Sequence, residues 1–552
     1  MRQMEQNKSD SLLAPGILLI LDRHGALSGI LTNGDIRRAF AAGITMADSV
    51  SHAMNPDPSV IVAVPGETNL LTLLFDKIKA EQWPAGRLEK IIIVDEKRRV
   101  TDVVSFYDLV RRSDVRFKHI GIVGLGYVGL TLGLTLADVG FRVKGLDHNP
   151  GLVAGLRKGV APFFEKGLDR LIADHLNKNF RIADDFRGGN NCDVYFIAVG
   201  TPLDAKKRPD LTFLKSAASA IGSVLKSGDV VILRSTVPLG VTRDTVRPIL
   251  EHVSGMRAGE GFLLAFAPER TVEGRALEEL RELPQVIGGI NRVSTDAAAQ
   301  IFNYLASSTV LVSSLEAAEM VKLVNNTYRD VMFAFANEVS LVAGAWGVSA
   351  KEVIDAANYG YSRSNVPLPS PGVGGYCLEK DPFIFIESAR RKGHTLALAR
   401  DARMISDRMV ARVAGDIISF LKTEKSAVKN PNIVVLGLAF KGRPVTSDTR
   451  GSTSVAVVEI LKKEGYFNIH VYDPAVGEKE IARHGVIPAG DSARALRGAD
   501  VVAVLTNHPD FEALDIRKLL ESAQKPVLLY DAWSLYAPDE IGKVEGVSHM
   551  RL

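Results

Sequence analysis

Residues 121–130, GIVGLGYVGL, limit the folds open to this chain more than any other segment. A short apolar run ends in Gly124, Gly126 and Gly129, and an apolar, helix-favouring run follows. Glycines in that spacing ask for a strand, a tight turn and a helix. The first allows the turn, the second admits a pyrophosphate to the backbone, and the third lets the helix lie close on the strand. Amides of the first helical turn, around Tyr127 and Val128, then face the phosphates. Asp147 ends the next apolar run about 20 residues on, where a carboxylate bonds a ribose and repels a 2′-phosphate. Gly124, Gly126, Tyr127, Val128, Gly129 and Asp147 therefore point to NAD. The glycines alone would be a weak sign; the flanking strand, helix and acid make it specific.

Strand-like runs then alternate with helical stretches: FRVKGLD, DVYFIAVG, VVILRST, FLLAFAPE and QVIGG. That rhythm implies a doubly wound, mostly parallel sheet. Residues 315–346 read as one long helix without proline. A loop rich in Pro, Ser and Gly follows, and NIVVLGLAF, NIHVYDP, DVVAVLT and PVLLYD supply a second set of buried strands. At 552 residues the chain exceeds what one core can organise. The expected fold is α/β, with Rossmann-like domains over residues 117–313 and 413–552 and a central helical domain over residues 314–412.

Residues 1–116 read differently. ILLIL, a DRHG turn, LSGILT and a helix from NGDIRRAF are echoed about seventy residues on by KIIIV, DEKR, VTDVVSF and YDLVRR. SVIVAV and a helix over NLLTLLFDKIKAE lie between them. The repeat resembles a pair of cystathionine-β-synthase-type (CBS) modules, a small α+β architecture. Thr32 and Asp35 match that family's ribose-phosphate motif, and Ser105 and Asp108 match it again. The first module lacks its usual leading strand and helix. The resemblance implies either adenine-nucleotide binding or a regulatory or oligomerising role.

Formal charge is +3, from 67 basic and 64 acidic residues, which argues against a general nucleic-acid binder. Two cysteines cannot staple a chain this long, so a reducing, cytoplasmic setting is expected. The start, MRQMEQNKSD, does not read as a secretory signal, and no apolar run approaches the roughly 20 residues of a membrane span. No metal site is expected.

One of the two cysteines, Cys377, stands in SPGVGGYCLEKDPF, flanked by glycines and by Lys380 and Asp381. A thiol can hold an aldehyde as a thiohemiacetal, and hydride loss to a nicotinamide then leaves a thioester. Beside the NAD fingerprint, this suggests oxidation past the aldehyde to a carboxylate. Cys192, opening the apolar CDVYFIAVG, reads as core. Lys322 and Asn326 are four apart on the long helix and share a face, which suits a solvated stripe as well as a site.

Residues 118–552 resemble the nucleotide-sugar 6-dehydrogenases, which act on UDP-glucose, UDP-N-acetylhexosamines or GDP-mannose. The matching pieces are GIVGLGYVGL, VGTP, STVPLGVT, APERTVEG, EMVKLVNNTYRD, SPGVGGYCLEKD, GLAFKGRPVTSDTR, VYDP and LTNHPDF, in the family's order. The resemblance implies an NAD domain, a central helix that builds a homodimer or higher oligomer, and a C-terminal domain that holds the UDP of a UDP-sugar. It implies Cys377 as nucleophile, Lys322 as the cation for an alkoxide, and Asn326 as a second donor to that oxygen. Asp381 would hold a water with Lys322, while Thr201 and Glu273 would orient the hydrolytic water and move protons. Ser235, Thr236 and Thr242, with Thr201, would touch the cofactor. Glu269, Arg270, Arg363, Gly374, Lys441 and Arg450 would line the substrate together with Lys322 and Asn326.

Three positions depart from the pattern. Gly451 stands where the family usually carries Glu, Tyr376 where the acetamido branch has His, and Lys380 follows the UDP-glucose branch. RSNVPLPSPGVGG and NNTYRDVMFAFANE favour a UDP-N-acetylhexosamine, GlcNAc or ManNAc, with UDP-glucose as the alternative. A two-electron dehydrogenase and a non-catalytic nucleotide sensor on the same scaffold are the other readings.

Overall fold

The computed structural model describes residues 17–58, 60–63, 91–104, 119–186, 192–363 and 365–552. The chain divides into two compact units, Met1–Lys118 and His119–Leu552. Among the described residues no helix is long and apolar enough to cross a membrane.

The first unit contains two hairpins built alike, at the two strand–turn–strand stretches of the sequence repeat. Ile17–Leu21 pairs antiparallel with Leu27–Thr32, and Ile91–Val94 pairs antiparallel with Val100–Val104; each has a register shift at its turn. Asp22 accepts the amides of His24 and Ala26, and Asp95 accepts those of Lys97 and Arg99 in the same way. Val60–Val62 adds parallel to Ile91–Val94. Ile17, Leu27, Val60, Ile92, Val94 and Val103 close a common small core. Helix α1 (Asn33–Ala41) starts from Thr32. The helix expected over NLLTLLFDKIKAE, and Ser105 and Asp108, lie outside the described residues.

The second unit begins with an eight-stranded sheet. Its six parallel strands run in the order Phe180–Ile182, Arg142–Leu146, His119–Val123, Val194–Ile197, Val230–Leu233, Leu263–Phe266. In chain order that is 3-2-1-4-5-6, the dinucleotide-binding arrangement with its crevice between strands 1 and 4. Gln285–Gly289 then joins antiparallel, and Thr309–Leu311 pairs parallel with it. The central strands are buried along their whole length, as covered parallel strands must be. Helix α2 (Tyr127–Asp138) follows the glycine turn.

Helix α3 (Leu315–Ala345) is capped by the Ser314 side chain and packs on α4 (Tyr376–Arg390) and α5 (Ala397–Glu424). The domain boundary expected at 412/413 falls inside α5, which is continuous. Its later turns put Val413, Ile417, Phe420 and Leu421 into the core of the next sheet, so no turn residue marks a break.

That second sheet is all parallel: Ile487–Pro488, Ile469–Tyr472, Ile433–Leu436, Val501–Val504, Val527–Asp531, Val547–Arg551. Its chain order is again 3-2-1-4-5-6. The two sheets also share a device after strand 1. Asp147 accepts the Leu125 amide at 2.7 Å, and Asp473 accepts the Leu438 amide at 2.7 Å.

Candidate active site

The glycine turn has the shape its sequence demands. Gly124 has φ +95°, and a Cβ there would meet the Ala198 carbonyl oxygen at 2.7 Å. A Cβ on Gly129 would overlap the Gly124 carbonyl. Around Gly126, by contrast, a Cβ would find open space. Gly126 caps α2 without a side-chain bond, leaving first-turn amides to a ligand. Gly126 and Tyr127 line a cavity of about 580 Å³, which reaches Glu273 and then Asp448, Arg450 and Gly477 of the C-terminal sheet's loops. Val128 is half-buried on the same turn. An open glycine before unengaged amides, with Asp147 fixed beside it, fits a dinucleotide pyrophosphate and ribose. The Tyr127 hydroxyl donates to buried Glu165, which also accepts the Gly274 and Ala276 amides. The cofactor turn is thereby tied to the loop carrying Glu273.

Three of the hydroxyls expected at the cofactor bond to protein groups. Ser235 donates to the Val199 carbonyl at 2.7 Å, and Thr201 to the Thr236 carbonyl at 2.6 Å. Thr242 is fully buried; its amide and hydroxyl both meet Glu319, whose other oxygen accepts the Gly240 amide at 2.6 Å. The amides of the PLG turn needed an acceptor, and α3 supplies one. Burial pushes Glu319 up to about 7, against the bonds from Thr242 and Gly240.

Cys377 is the second residue of α4 and is open to solvent. Surrounding protein pushes its thiol up, as does Asp381, while Lys322 and Lys380 pull towards the thiolate. Cys192 is core, as read, with burial pushing its thiol up to about 12. Lys322 and Asn326 are both buried on one face of α3. Asp381 is fully buried, accepting from Asn326 at 2.6 Å and from Lys380 at 2.7 Å. Asn326, Asp381 and Lys380 thus form a direct chain, because Lys380 lies next in sequence and reaches the carboxylate itself. The Tyr376 ring has Lys380 at 5.4 Å and Arg450 at 5.1 Å from its centroid.

Burial pushes Glu273 up to about 7, with Asp448 adding to it and Arg450 and Lys441 opposing. Lys441 donates to the Glu273 carbonyl at 2.8 Å, and burial pulls it down to about 8. Arg450 pairs with Asp448 at 2.6 Å and stands 4.0 Å from Glu273. Glu273 and Arg450 therefore meet at the cavity named above, and Lys441 joins them through the Glu273 carbonyl.

Other residues expected at the substrate have protein partners of their own. Glu269 is buried against Arg234 at 2.8 Å and accepts the Arg270 and Thr271 amides. The Arg270 guanidinium turns to the Pro284 carbonyl. Both hold the APER loop, because Arg234, fully buried at a strand end, must find a counter-ion. Arg363 is exposed and stacks on Tyr361. Gly374 gives close approach: a Cβ there would overlap the Gly451 carbonyl, and the Gly375 amide donates to that oxygen at 2.9 Å. A Cβ at Gly451 would overlap the Glu379 carboxylate, which occupies the room a side chain at 451 would need. In the first unit, Thr32 and Asp35 form a closed capping box, and Asp35 also meets Arg38.

Arg234, Glu319 and Lys380 were not foreseen as site groups. A charge ending VVILR and an acid in the apolar AAEMVKLV face were the available signals.

Three stretches match the UDP-glucose/GDP-mannose dehydrogenase family: residues 118–306 its NAD binding domain, 316–408 its central domain, and 434–538 its UDP binding domain. The chain belongs to this family. It is an NAD-dependent nucleotide-sugar dehydrogenase, an oxidoreductase. It is 33% identical over 415 residues to the UDP-N-acetyl-D-mannosamine dehydrogenase of Pyrococcus horikoshii, covering 74% of this chain and 94% of that one. The NDP-N-acetyl-D-galactosaminuronic acid dehydrogenase of Ralstonia nicotianae is 33% identical, covering 74% of this chain and 95% of the relative. A solved structure of the Pyrococcus horikoshii UDP-D-ManNAc dehydrogenase superposes with TM-score 0.70 at 31% identity, over 78% of this chain and 98% of that one. The three family stretches begin at residue 118.

Proposed function

We propose that this dehydrogenase oxidises C6 of a UDP-N-acetylhexosamine, GlcNAc or ManNAc, by four electrons to the uronate, with Cys377 as covalent nucleophile. The observation that carries the reading is an accessible thiol set within the electrostatic reach of Lys322, Lys380, Asp381 and Glu273. NAD, when bound, supplies the hydride acceptor for both oxidations.

Glu273, held near neutrality, takes the hydroxyl proton, and Lys322 offsets the alkoxide charge. The Cys377 sulfur then adds to the aldehyde carbon, and its proton passes to the carbonyl oxygen. Loss of hydride leaves a thioester. Water adds, the C–S bond breaks, and the thiol recovers its proton. Lys380 and Asn326 both donate to Asp381, which holds the floor of the site in one geometry. One alcohol, two NAD and one water become one carboxylate, two NADH and three protons.

The relatives named for N-acetylated sugars support the acetamido choice, and Lys380 favours UDP-glucose as the second reading. We also infer a homodimer through α3, which leaves Phe335, Val342 and Trp346 exposed, the last at 81%. The N-terminal unit is assigned regulation or assembly, with an adenine nucleotide as its candidate ligand. NADH yield from limiting UDP-N-acetylglucosamine, UDP-N-acetylmannosamine or UDP-glucose, assayed separately, tests the chemistry. Two NADH per acetamido sugar, and no uronate from Cys377→Ser, are expected. One NADH per sugar, or full turnover by that variant, removes the covalent route.

A further inference from the structure

Lys322, Asn326 and Asp330 follow at four-residue intervals on α3, forming one stripe. The first two belong to the candidate site, and the third leads to a group outside it. Asp330 is fully buried and accepts Arg403 Nη1 of α5 at 3.1 Å. The same nitrogen donates to the Leu378 carbonyl at 2.8 Å, and Arg403 Nη2 donates to the Val373 carbonyl at 3.1 Å. Val373 lies four residues before Cys377 and Leu378 directly after it. One planar fork therefore grips the backbone on both sides of the nucleophile.

The need for that grip is written in α4. Within a helix, the Leu378 carbonyl would accept the amide four residues on, but that residue is Pro382, which has none. Arg403 supplies the missing donor. On the other side Gly374 and Gly375 have no side chains to fix the turn, and Ser406 of α5 accepts the Val373 amide at 2.6 Å. A buried ion pair is a poor stabiliser compared with apolar packing, but it imposes direction. A guanidinium held by a carboxylate can bond two carbonyls at set angles; an ammonium cannot.

We propose that Arg403, anchored by Asp330, is the positioning residue that fixes the Cys377 turn for attack. The proposal rests on Cys377 being the nucleophile. On the full-length protein, Arg403→Lys and Asp330→Asn are compared with the parent in turnover, NAD binding, thermal melting and alkylation of Cys377 by iodoacetamide. Expected are cooperative melting, NAD affinity within about twofold, kcat lowered about 10- to 100-fold, and an alkylation rate altered about fivefold or more. Parental kcat and alkylation rate in either folded variant overturn the proposal, as does a loss of activity that matches the unfolded fraction. Cys377→Ser separates the two ideas: two-NADH turnover by it removes the nucleophile, whereas unaltered alkylation in the Arg403 and Asp330 variants removes only the positioning.

Discussion

Glu273 is the residue whose chemistry depends most on where the fold puts it. Burial lifts its carboxyl to about 7, so it is protonated below that pH and ionised above. If the ionised form is the base, kcat/KM rises as pH passes upward through about 7. Glu273→Gln should flatten that limb and lower kcat about 100-fold; an unchanged profile in the variant would remove the role. The raised value also means that the folded protein binds more protons than the unfolded chain between 4.5 and about 7, and this group's contribution to stability falls as pH rises through that window. Arg234 is a contrasting case, a charge held for structure. Arg234→Met would strand Glu269 in the core and should cost about 3 kcal/mol or more in denaturant unfolding. A loss below about 1 kcal/mol would mean Glu269 had found other partners.

At the scale of elements, the strand–glycine–helix unit was the most legible part of the chain, because backbone sterics alone dictate it. Gly129→Ala brings a methyl group into the Gly124 carbonyl, so α2 must lift from the strand. The expected outcome is a loss of about 1–3 kcal/mol and at least tenfold weaker NAD binding by titration. Helix α3 was legible too, from its unbroken 3.6-residue periodicity over residues 315–346. Less visible were the short strands Phe180–Ile182 and Thr309–Leu311, whose three residues carry too little pattern. The protein partners of Ser235, Thr242, Glu269 and Arg270 were not legible for another reason. Polar residues after a strand look alike in sequence whether they face a ligand or satisfy a neighbouring turn, and Glu319 and Arg234 decided that from distant positions.

For the molecule as a whole, the catalytic unit starts at a strand, His119–Val123, just beyond the divide between the two units. Deleting residues 1–116 should therefore leave two-NADH chemistry intact, with kcat within about threefold. It should abolish any effect of AMP or ATP on rate or on oligomeric state by light scattering. Collapse of basal activity would show that the N-terminal unit completes the enzyme instead of tuning it. The sequence by itself determined the order of elements, both doubly wound sheets and the cofactor turn. These follow from local sterics, periodicity and motif spacing, all of which act within a few residues. Only the tertiary structure decided which polar groups meet. Asn326 reaches Asp381 across 55 positions, Arg403 reaches Asp330 across 73, and Lys441 reaches the Glu273 carbonyl across 168. Burial set the proton affinities of Glu273 and Lys441, and burial belongs to the packed chain, not to any segment of it.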